Sequence, residues 1–529
     1  MLGSAALAGP PEAAPICADD ADDGDDDVGS DSGDTGDSDS DDGTATRPPN
    51  VLLVTLDDVG RDKILLYEEP AADEIRIPTP TFDSLAATGV RFTSAWSTAT
   101  CSPTRATLLT GQYPTRNGVT TAIDPGSAEG LDPTLPDLLP RRLHQAGYAT
   151  AAIGKWHVTS WAPGDEHGPV DTGFDRFSGH LGSFLTDAMA DSGEYYVTAP
   201  LRCDALACTY ASPWITDLDA AAYEADGVTL VPDVAAQYDS TDEIDEAVAW
   251  VEDQSPYAPW FLWLSMQAPH SPYVLPPRAL LDDASPSLVA EIEAKTGVPY
   301  VEGQRFSSLD GNRRKPDTYE ARAVYAAMLT AADTELGRLL ASIDLDDTVV
   351  IVLGDNGTSD EVVDEDRAGT PNAVDRAKAT IYEGGIGVPF VVHAPGLVGP
   401  GRTSDALVHT ADLYATVLAL AGVDPSAASV VVDGESFVPA LCSDAPGVGR
   451  SYAFSEHRNG AGTQTADAVR DARYKLIHQT LRQRSRFELY DLWLDPYEQA
   501  DLLQSPLSAE AQAAYDALLV ERDRVLASF

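Results

Sequence analysis

The stretch NVLLVTLDD, residues 50–58, is a continuous apolar and β-branched run that ends abruptly in two adjacent carboxylates. It lacks the polar alternation of a half-exposed strand, so it reads as a strand buried on both faces, the kind found inside parallel sheets. Comparable runs recur at YATAAIG (148–154), PWFLWLSM (259–266) and TVVIVLG (348–354). Amphipathic segments lie among them. TPTFDSLAATG (79–89) reads as a helix leading to a strand at VRFTSAWS (90–97), LPDLLPRRLHQAG (135–147) reads as helical, and the long TYEARAVYAAMLTAADTELGRLLASI (318–343) has apolar residues at helical spacing. Strands alternating with helices predict an α/β fold with a large, mostly parallel or mixed central sheet flanked by helices.

The texture changes near the end. RYKLIH (473–478) and FELYDL (487–492) are short and separated by a loop, and DPYEQADL (495–502) leads into a helical tail. A smaller C-terminal antiparallel sheet with a helix is expected there. The predicted organisation is a tether over residues 1–46, a catalytic domain over 47–435 and a C-terminal subdomain over 436–529.

The residues just beyond each buried strand carry the chemistry, because ligands in open α/β sheets sit past the carboxyl ends of the strands. Asp57 and Asp58 succeed the first run, Lys155 and His157 the second, His270 the third, and Asp355 and Asn356 the fourth. One such end would be an ordinary turn, whereas four together point to a site. Asp57, Asp58, Asp355 and Asn356 offer only hard oxygens, a set suited to Ca²⁺, with Mg²⁺ as the other candidate, rather than to zinc. Adjacent buried carboxylates repel, and a divalent cation relieves them. Only six lysines occur in the chain, and two of them, Lys155 in GKWH and Lys378 in KATIYEGG, fall in distinctive surroundings. With Arg105 and the two histidines they describe a pocket for a tetrahedral oxyanion.

The 529 residues carry 34 basic and 85 acidic groups, a net charge of -51. Fourteen acidic residues and no basic ones lie in residues 1–46, so the remainder still holds 71 against 34. The run CADDADDGDDDVGSDSGDTGDSDSDDG (17–43) has too little apolar surface to offset its ordering entropy and reads as a disordered tether. An acidic body argues against nucleic acid as a partner, and no stretch approaches the roughly 20 apolar residues of a membrane span. MLGSAALAGPPEAAPIC fits the remnant of an export signal, and Cys17 before a polar tether admits a lipid anchor, although Ile16 is not the small residue expected before a lipidated cysteine. Export to the periplasm, the medium or a cell surface is expected. In such a compartment Cys203 and Cys208 could close a local disulfide loop.

Cys101 is different, since it stands in the polar turn CSPTR (101–105) among hydroxyls and a cation. That motif, with the downstream TGQYPTRNGV, resembles the Cys-x-Pro-x-Arg motif of type I sulfatases, within the alkaline phosphatase superfamily. The resemblance extends through NVLLVTLDD, GKWH, GFDRFSG, APHSPY, LGDNG, YEGGIGVPF, RYKLI and ELYDLWLDPYEQADL, from about Asn50 to Leu502. It implies an alkaline phosphatase-like fold. It also implies that a formylglycine-generating enzyme converts Cys101 to formylglycine, an aldehyde whose hydrate is the nucleophile. By motif position Arg105 would hold that hydrate, and Asp57, Asp58, Asp355 and Asn356 would bind Ca²⁺. Lys155, His270 and Lys378 would contact the sulfate, with Ser183 as a further candidate. His270 with Lys378 would protonate the leaving oxygen, and His157 would remove a diol proton so that sulfate is expelled.

One departure stands out. Many family members carry an arginine before the Val-Pro that comes after YEGG, and here that residue is Gly387. The function implied is hydrolysis of a small-molecule or saccharide sulfate ester. The rivals are a phosphonate or phosphate ester hydrolase of the same superfamily and a non-catalytic sulfoglycan-binding surface protein. The acidic stretch from about Phe184 to Val234 is expected to line the cleft mouth and to favour a lightly charged monosulfate.

Overall fold

The computed structural model describes residues 16–17, 47–68, 70, 75–124, 127–160, 167–182, 201–204, 208–211, 230–231, 238–271, 273–297, 299–302, 305–306, 318–363, 374–397, 399–443, 445, 448–459, 464–482 and 484–529. The large sheet contains β1 (Asn50–Leu56), β2 (Val90–Trp96), β3 (Ala149–Lys155), β4 (Arg176–His180), β5 (Leu201–Asp204), β6 (Cys208–Ala211), β7 (Leu230–Val231) and β8 (Trp260–Met266). A two-stranded ribbon pairs β9 (Tyr273–Val274) with β10 (Arg305–Phe306). Then β11 (Thr348–Gly354), β12 (Phe390–His393) and β13 (Arg402–His409) complete the large sheet. Its strand order is β13-β2-β12-β11-β1-β8-β3-β4-β5-β6-β7.

The four runs singled out in the sequence are the adjacent strands β11, β1, β8 and β3, all parallel. Each is flanked by apolar groups on both faces, as uninterrupted hydrophobic runs require. Val51, Leu53, Phe261, Trp263, Val349 and Ile351 face one core, whereas Leu52, Val54, Leu262, Leu264, Val350 and Val352 face the other. The helix Thr318–Leu340 closes the second core through Val324, Ala327, Ala331 and Leu336. β12 runs antiparallel to both β11 and β2, so the sheet is mixed and β2 points the same way as the central strands.

The predicted helix over 135–147 is shorter than expected and occupies Leu139–Gln145. Pro140 sits in its first turn, where a missing N–H costs nothing, and so marks its start.

The second sheet is antiparallel, in the order β14 (Ala453–Arg458), β15 (Gln464–Arg470), β16 (Tyr474–Leu481) and β17 (Arg484–Asp491). One face packs on the C-terminal helix Ala509–Ala527 through Val469, Leu476, Leu489 and Leu518. The other face meets Trp96, Ala99, Ile381 and Tyr382 from the catalytic side through Ala468, Ile477 and Tyr490.

Buried charge fastens this second contact. Glu383 accepts from Trp96 Nε1 at 2.9 Å, from Lys475 Nζ at 3.0 Å and from Arg61 Nη2 at 2.8 Å. Lys475 also pairs with Glu498 at 2.8 Å, and Glu498 accepts the Glu383 backbone N–H at 2.7 Å. Burial pushes the Glu383 carboxyl up, but Lys475, Arg61 and Arg470 outweigh it and pull it down to about 2.

Arg61 and the Glu383 backbone together account for the Gly387 departure. A Cβ added at Gly387 would stand 2.7 Å from Glu383 O, 2.9 Å from Arg61 Nη2 and 3.0 Å from its Nε. A guanidinium carried by another segment therefore fills the space into which a side chain at 387 would project.

Two cysteine expectations change. Cys17 forms a disulfide with Cys442, so its sulfur is not free to carry a lipid, and the lipid anchor that the sequence admitted there is corrected. Within the stretch expected as tether, Ile16 packs against the main core and its N–H meets Pro395 O at 3.4 Å. β5 and β6 place Cys203 opposite Cys208 in register, but these side chains lie outside the described residues. Among the described residues no helix is long and apolar enough to cross a membrane.

Lys475→Met is expected to cost ~3–5 kcal/mol in urea unfolding, the cost of stranding a buried ionic partner. Because the Glu383 pKa is depressed, its contribution to stability is complete above about pH 4.5 and is lost as pH falls toward about 2. Acid titration of wild type against Glu383→Gln checks that window. Gly387→Ala should destabilise by itself, because the methyl meets Glu383 O whatever stands at 61, and a double-mutant cycle with Arg61→Ala should give a coupling of ~1 kcal/mol from the guanidinium contact alone.

Candidate active site

Parallel strands bring their carboxyl ends to one edge, and that edge collects the site. Leu56 pairs with Gly354 in register, so Asp57-Asp58 and Asp355-Asn356 leave the sheet side by side. Asp355 N–H donates to Leu56 O at 3.0 Å, and Asp58 N–H donates to Asp355 Oδ1 at 3.2 Å. β3 ends on Lys155, with His157 two residues on. β8 leads through Gln267 to His270, whose N–H bonds to Gln267 O at 3.0 Å. β2 delivers Cys101 through a four-residue connection, as the first residue of the helix Cys101–Thr110. Lys378 arrives from the opposite direction, its segment tied down by Lys378 N–H to Thr358 O at 2.9 Å and Ala379 N–H to Ala99 O at 2.8 Å.

Three turns at this edge use left-handed backbone at residues other than glycine: Asp58 (φ 65°), His157 (φ 52°) and Ala379 (φ 65°). Such conformations cost energy and persist where surrounding contacts impose them. Gly154 is the complementary case. Its φ is 96°, and a Cβ there would lie 2.1 Å from Ser265 O, so only glycine allows β3 to pass β8 immediately before Lys155.

The carboxylates are wholly buried and crowded by cations. Lys155 Nζ is ion-paired to Asp57, and Lys378 Nζ to Asp58. Arg105, fully buried, holds Asp355 Oδ2 from Nε at 3.2 Å and Nη2 at 2.9 Å. Its Nη1 reaches Lys155 O at 2.7 Å and Ser265 Oγ. Burial pushes the Asp57 carboxyl up, but Lys155, His270, Arg105 and Lys378 together pull it below the usual carboxylate range. Asp355 goes the other way. Burial and the neighbouring Asp57 charge push it up to about 8 against the pull of Arg105. The acids therefore do not all ionise easily side by side.

Two oxygens stand out. Asp57 Oδ1 and Asn356 Oδ1 are buried with no hydrogen-bond partner, while Asn356 Nδ2 is satisfied by Asp58 Oδ1 and Gly357 O, each at 2.8 Å. Orphaned buried acceptors are costly, and a cation would satisfy both. One ligand atom from each of Asp57, Asp58 and His270 lies within 4.8 Å of the others. The donor set fits a hard divalent cation, with the Asp355 carboxylate already engaged by Arg105 and Asp58 N–H.

Cys101 Sγ lies 3.3 Å from His157 Nδ1. His157 Nε2 is 2.8 Å from Ile123 O, an acceptor only, so Nε2 carries the proton and Nδ1 offers its lone pair to residue 101. Burial and the nearby Lys155 charge hold this ring down at about 3, so it is neutral at physiological pH. His270 is held at about 4 by burial and by Lys155. Its Nδ1 faces Ser271 O at 2.5 Å, and its Nε2 is 3.8 Å from Asp58 Oδ2. Residue 101 also opens a helix of ten residues, whose N-terminus favours negative charge.

The structure thus brings together Asp57, Asp58, Cys101, Arg105, Lys155, His157, His270, Asp355, Asn356 and Lys378. Ser183 lies outside the described residues. Sequence reasoning missed Ser265 and Tyr325. Ser265 is the one hydroxyl in the apolar run PWFLWLSM, and that anomaly was the available signal. Tyr325, whose OH donates to Asp58 O at 2.9 Å, sits on a long helix and gave none.

Comparison with known proteins identifies the family. The Sulfatase family profile matches residues 49–423, and the N-sulphoglucosamine sulphohydrolase C-terminal profile matches residues 376–524. Human (Homo sapiens) arylsulfatase A is 30% identical over 413 residues, 75% of this chain and 68% of that protein. A protein solved with its substrate D-glucosamine-2-N,6-O-disulfate superposes with a TM-score of 0.62 at 21% identity, over 90% of this chain and 98% of that one. The phosphonate monoester hydrolase of Agrobacterium radiobacter shares the fold at a TM-score of 0.57 and 24% identity, over 91% and 96%. The profile match across most of the chain, on a fold whose strand ends gather this site, makes the protein a type I sulfatase of the alkaline phosphatase superfamily, an enzyme that hydrolyses sulfate esters.

Proposed function

We propose that the protein cleaves a sulfate monoester with residue 101, converted from cysteine to formylglycine, as nucleophile and with Ca²⁺ bound beside it. The observation that carries this reading is the contact between Cys101 Sγ and His157 Nδ1, 3.3 Å apart at a helix N-terminus beside the orphaned oxygens of Asp57 and Asn356. Asp57, Asp58 and Asn356 would hold the cation, with Asp355 orienting Arg105 and completing the set. Bound there, the cation supplies positive charge against which sulfate oxygens are stabilised. The aldehyde of formylglycine supplies, as its hydrate, a hydroxyl nucleophile and a second hydroxyl through which the sulfated residue can eliminate sulfate.

The chain's own groups then have distinct tasks. Arg105 sets the residue-101 helix against Asp355 and Lys155 O, and so fixes the nucleophile relative to the acids. Lys155 and Lys378 are paired to Asp57 and Asp58, so each ammonium serves the sulfate only as its hold on the carboxylate relaxes. His157 Nδ1 takes the proton from residue 101. His270 and Lys378 both stand against Asp58 and would serve the departing ester oxygen; Lys378 is kept charged by Asp58 against its burial. Residues 47–435 act as the catalytic unit and 436–529 as a subdomain docked on Glu383 and Tyr382. The Cys17–Cys442 disulfide favours maturation in an oxidising, exported location.

Steady-state assays on 4-nitrophenyl sulfate and 4-nitrophenyl phosphate, on protein whose residue-101 peptide has been characterised by mass spectrometry, test this reading. Conversion of Cys101 with preference for the sulfate is expected; an unmodified cysteine in active protein, or preference for the phosphate, would overturn it. Dialysis against a chelator should abolish turnover and Ca²⁺ should restore it, with Asp57→Asn weakening Ca²⁺ affinity at least ~10–100-fold. His157→Asn should lower kcat by ~10²–10⁴ while leaving thermal stability close to wild type.

A further inference from the structure

The loop between β16 and β17 breaks the charge pattern of the whole chain. Acids outnumber bases by 85 to 34, yet residues 479–487, QTLRQRSRF, contain three arginines and no acid. Arg482, Arg484 and Arg486 are all exposed. Arg486 pairs with Glu488 at 2.7 Å, whereas Arg482 and Arg484 make no ion pair with any described residue. Three cations on one tip repel one another, and an anion laid across them removes that repulsion.

Register shows where this tip lies. Gln479 pairs with Arg486 and Leu481 with Arg484, so the alternating positions Ile477, Gln479, Arg486 and Glu488 belong to the face that meets the catalytic side. Tyr382 fixes that contact: its OH donates to Glu488 Oε2 at 2.8 Å and accepts from Gln479 Nε2 at 3.1 Å and Arg486 Nη2 at 3.3 Å. A fourth cation, Arg376, stacks on the Tyr382 ring at 4.8 Å. Tyr382 is four residues from Lys378, whose ammonium is paired to Asp58. Arg484 shares the face of Arg486 and lies one strand repeat, ~7 Å, farther out. Arg486 and Arg484 therefore continue outward from Tyr382 along the face of the second sheet that meets the catalytic side, and Arg482 stands at the turn beyond them.

We propose that the β16–β17 tip is an anion subsite, which takes a second negatively charged group of a saccharide chain whose scissile sulfate occupies the site at the strand ends. The proposal rests on the sulfatase reading and deepens it: the substrate is an oligosaccharide carrying at least two anionic groups, not the lightly charged monosulfate expected from the acidic stretch 184–234. Arg482 and Arg484 supply charge-assisted hydrogen bonds, and Arg486, held by Tyr382 and Glu488, sets the inner edge.

The test compares wild type with the double variant Arg482→Ser, Arg484→Ser. Both side chains are exposed and form no ion pair among the described residues, so the variant should fold with an unchanged thermal midpoint. Calorimetric titration with a sulfated carrageenan hexasaccharide should show binding to wild type and binding ~10-fold weaker to the variant, equivalent to ~1.4 kcal/mol. Hexagalacturonate, titrated alongside, distinguishes a subsite for any anion, weakened equally, from one tuned to sulfate, where only the carrageenan is affected. KM for 4-nitrophenyl sulfate should be the same in both proteins, because one small ester cannot reach the tip. Equal hexasaccharide affinity in the two proteins, or none in wild type, overturns the subsite. Failure of wild type to hydrolyse 4-nitrophenyl sulfate would instead strike the function proposed above, while the calorimetric contrast would still report on the arginines.

Discussion

Three carboxylates, Asp57, Asp58 and Asp355, are pressed together out of reach of water at the ends of two neighbouring parallel strands, and most of the molecule is arranged around that concentration of charge. Left alone, such a group would take up protons or open the structure. Arg105, Lys155 and Lys378 approach from three separate elements to prevent this. Each must be carried by a rigid support: a helix, a strand and a segment hydrogen-bonded to its neighbours. The same compression leaves Asp57 Oδ1 and Asn356 Oδ1 unsatisfied. Charge crowding and unfilled acceptor capacity together describe a place for a divalent cation and a tetrahedral anion.

Much of this was visible in the sequence for a simple reason. A strand buried on both faces cannot alternate, so NVLLVTL, PWFLWLSM and TVVIVLG announce the centre of the sheet. A polar residue directly after such a run must lie at the sheet's edge, which is why Asp57, Asp58, Asp355, Asn356, Lys155 and His270 can be gathered from their positions in the chain. The hidden features depended on contacts between distant segments. No local pattern says that Arg61 fills the space over Gly387, that Ser265 reaches Arg105, or that Cys17 bonds to Cys442 across 425 residues. The helix start at Leu139 was readable in principle, since Pro140 marks it, but amphipathic spacing before it suggested more.

The second sheet does more than cover the first. Its inward face meets the residue-101 approach and the Tyr382–Glu383 segment at once, through Ser455 Oγ to Ser97 O at 2.9 Å and through Lys475 to Glu383. Both segments lead into the active site, one to Cys101 and the other from Lys378. Stability of the smaller sheet and placement of Cys101 and Lys378 are therefore one problem for this fold. That is why buried ionic groups, costly to desolvate, are tolerated at the joint.

The Cys17–Cys442 bond alters the topology of the acidic segment. Residues 18–46 hold thirteen carboxylates and no base. They run between Cys17, bonded to Cys442, and Arg47, which is buried and ion-paired to Asp347. Both flanking residues are thus fastened to the body, one by the disulfide and the other by its ion pair. A single peptide-bond cut between residues 17 and 47 would therefore release neither piece, one held through Cys17 and the other through the chain at Arg47, so the protein would keep the thirteen carboxylates that an ordinary tail would lose.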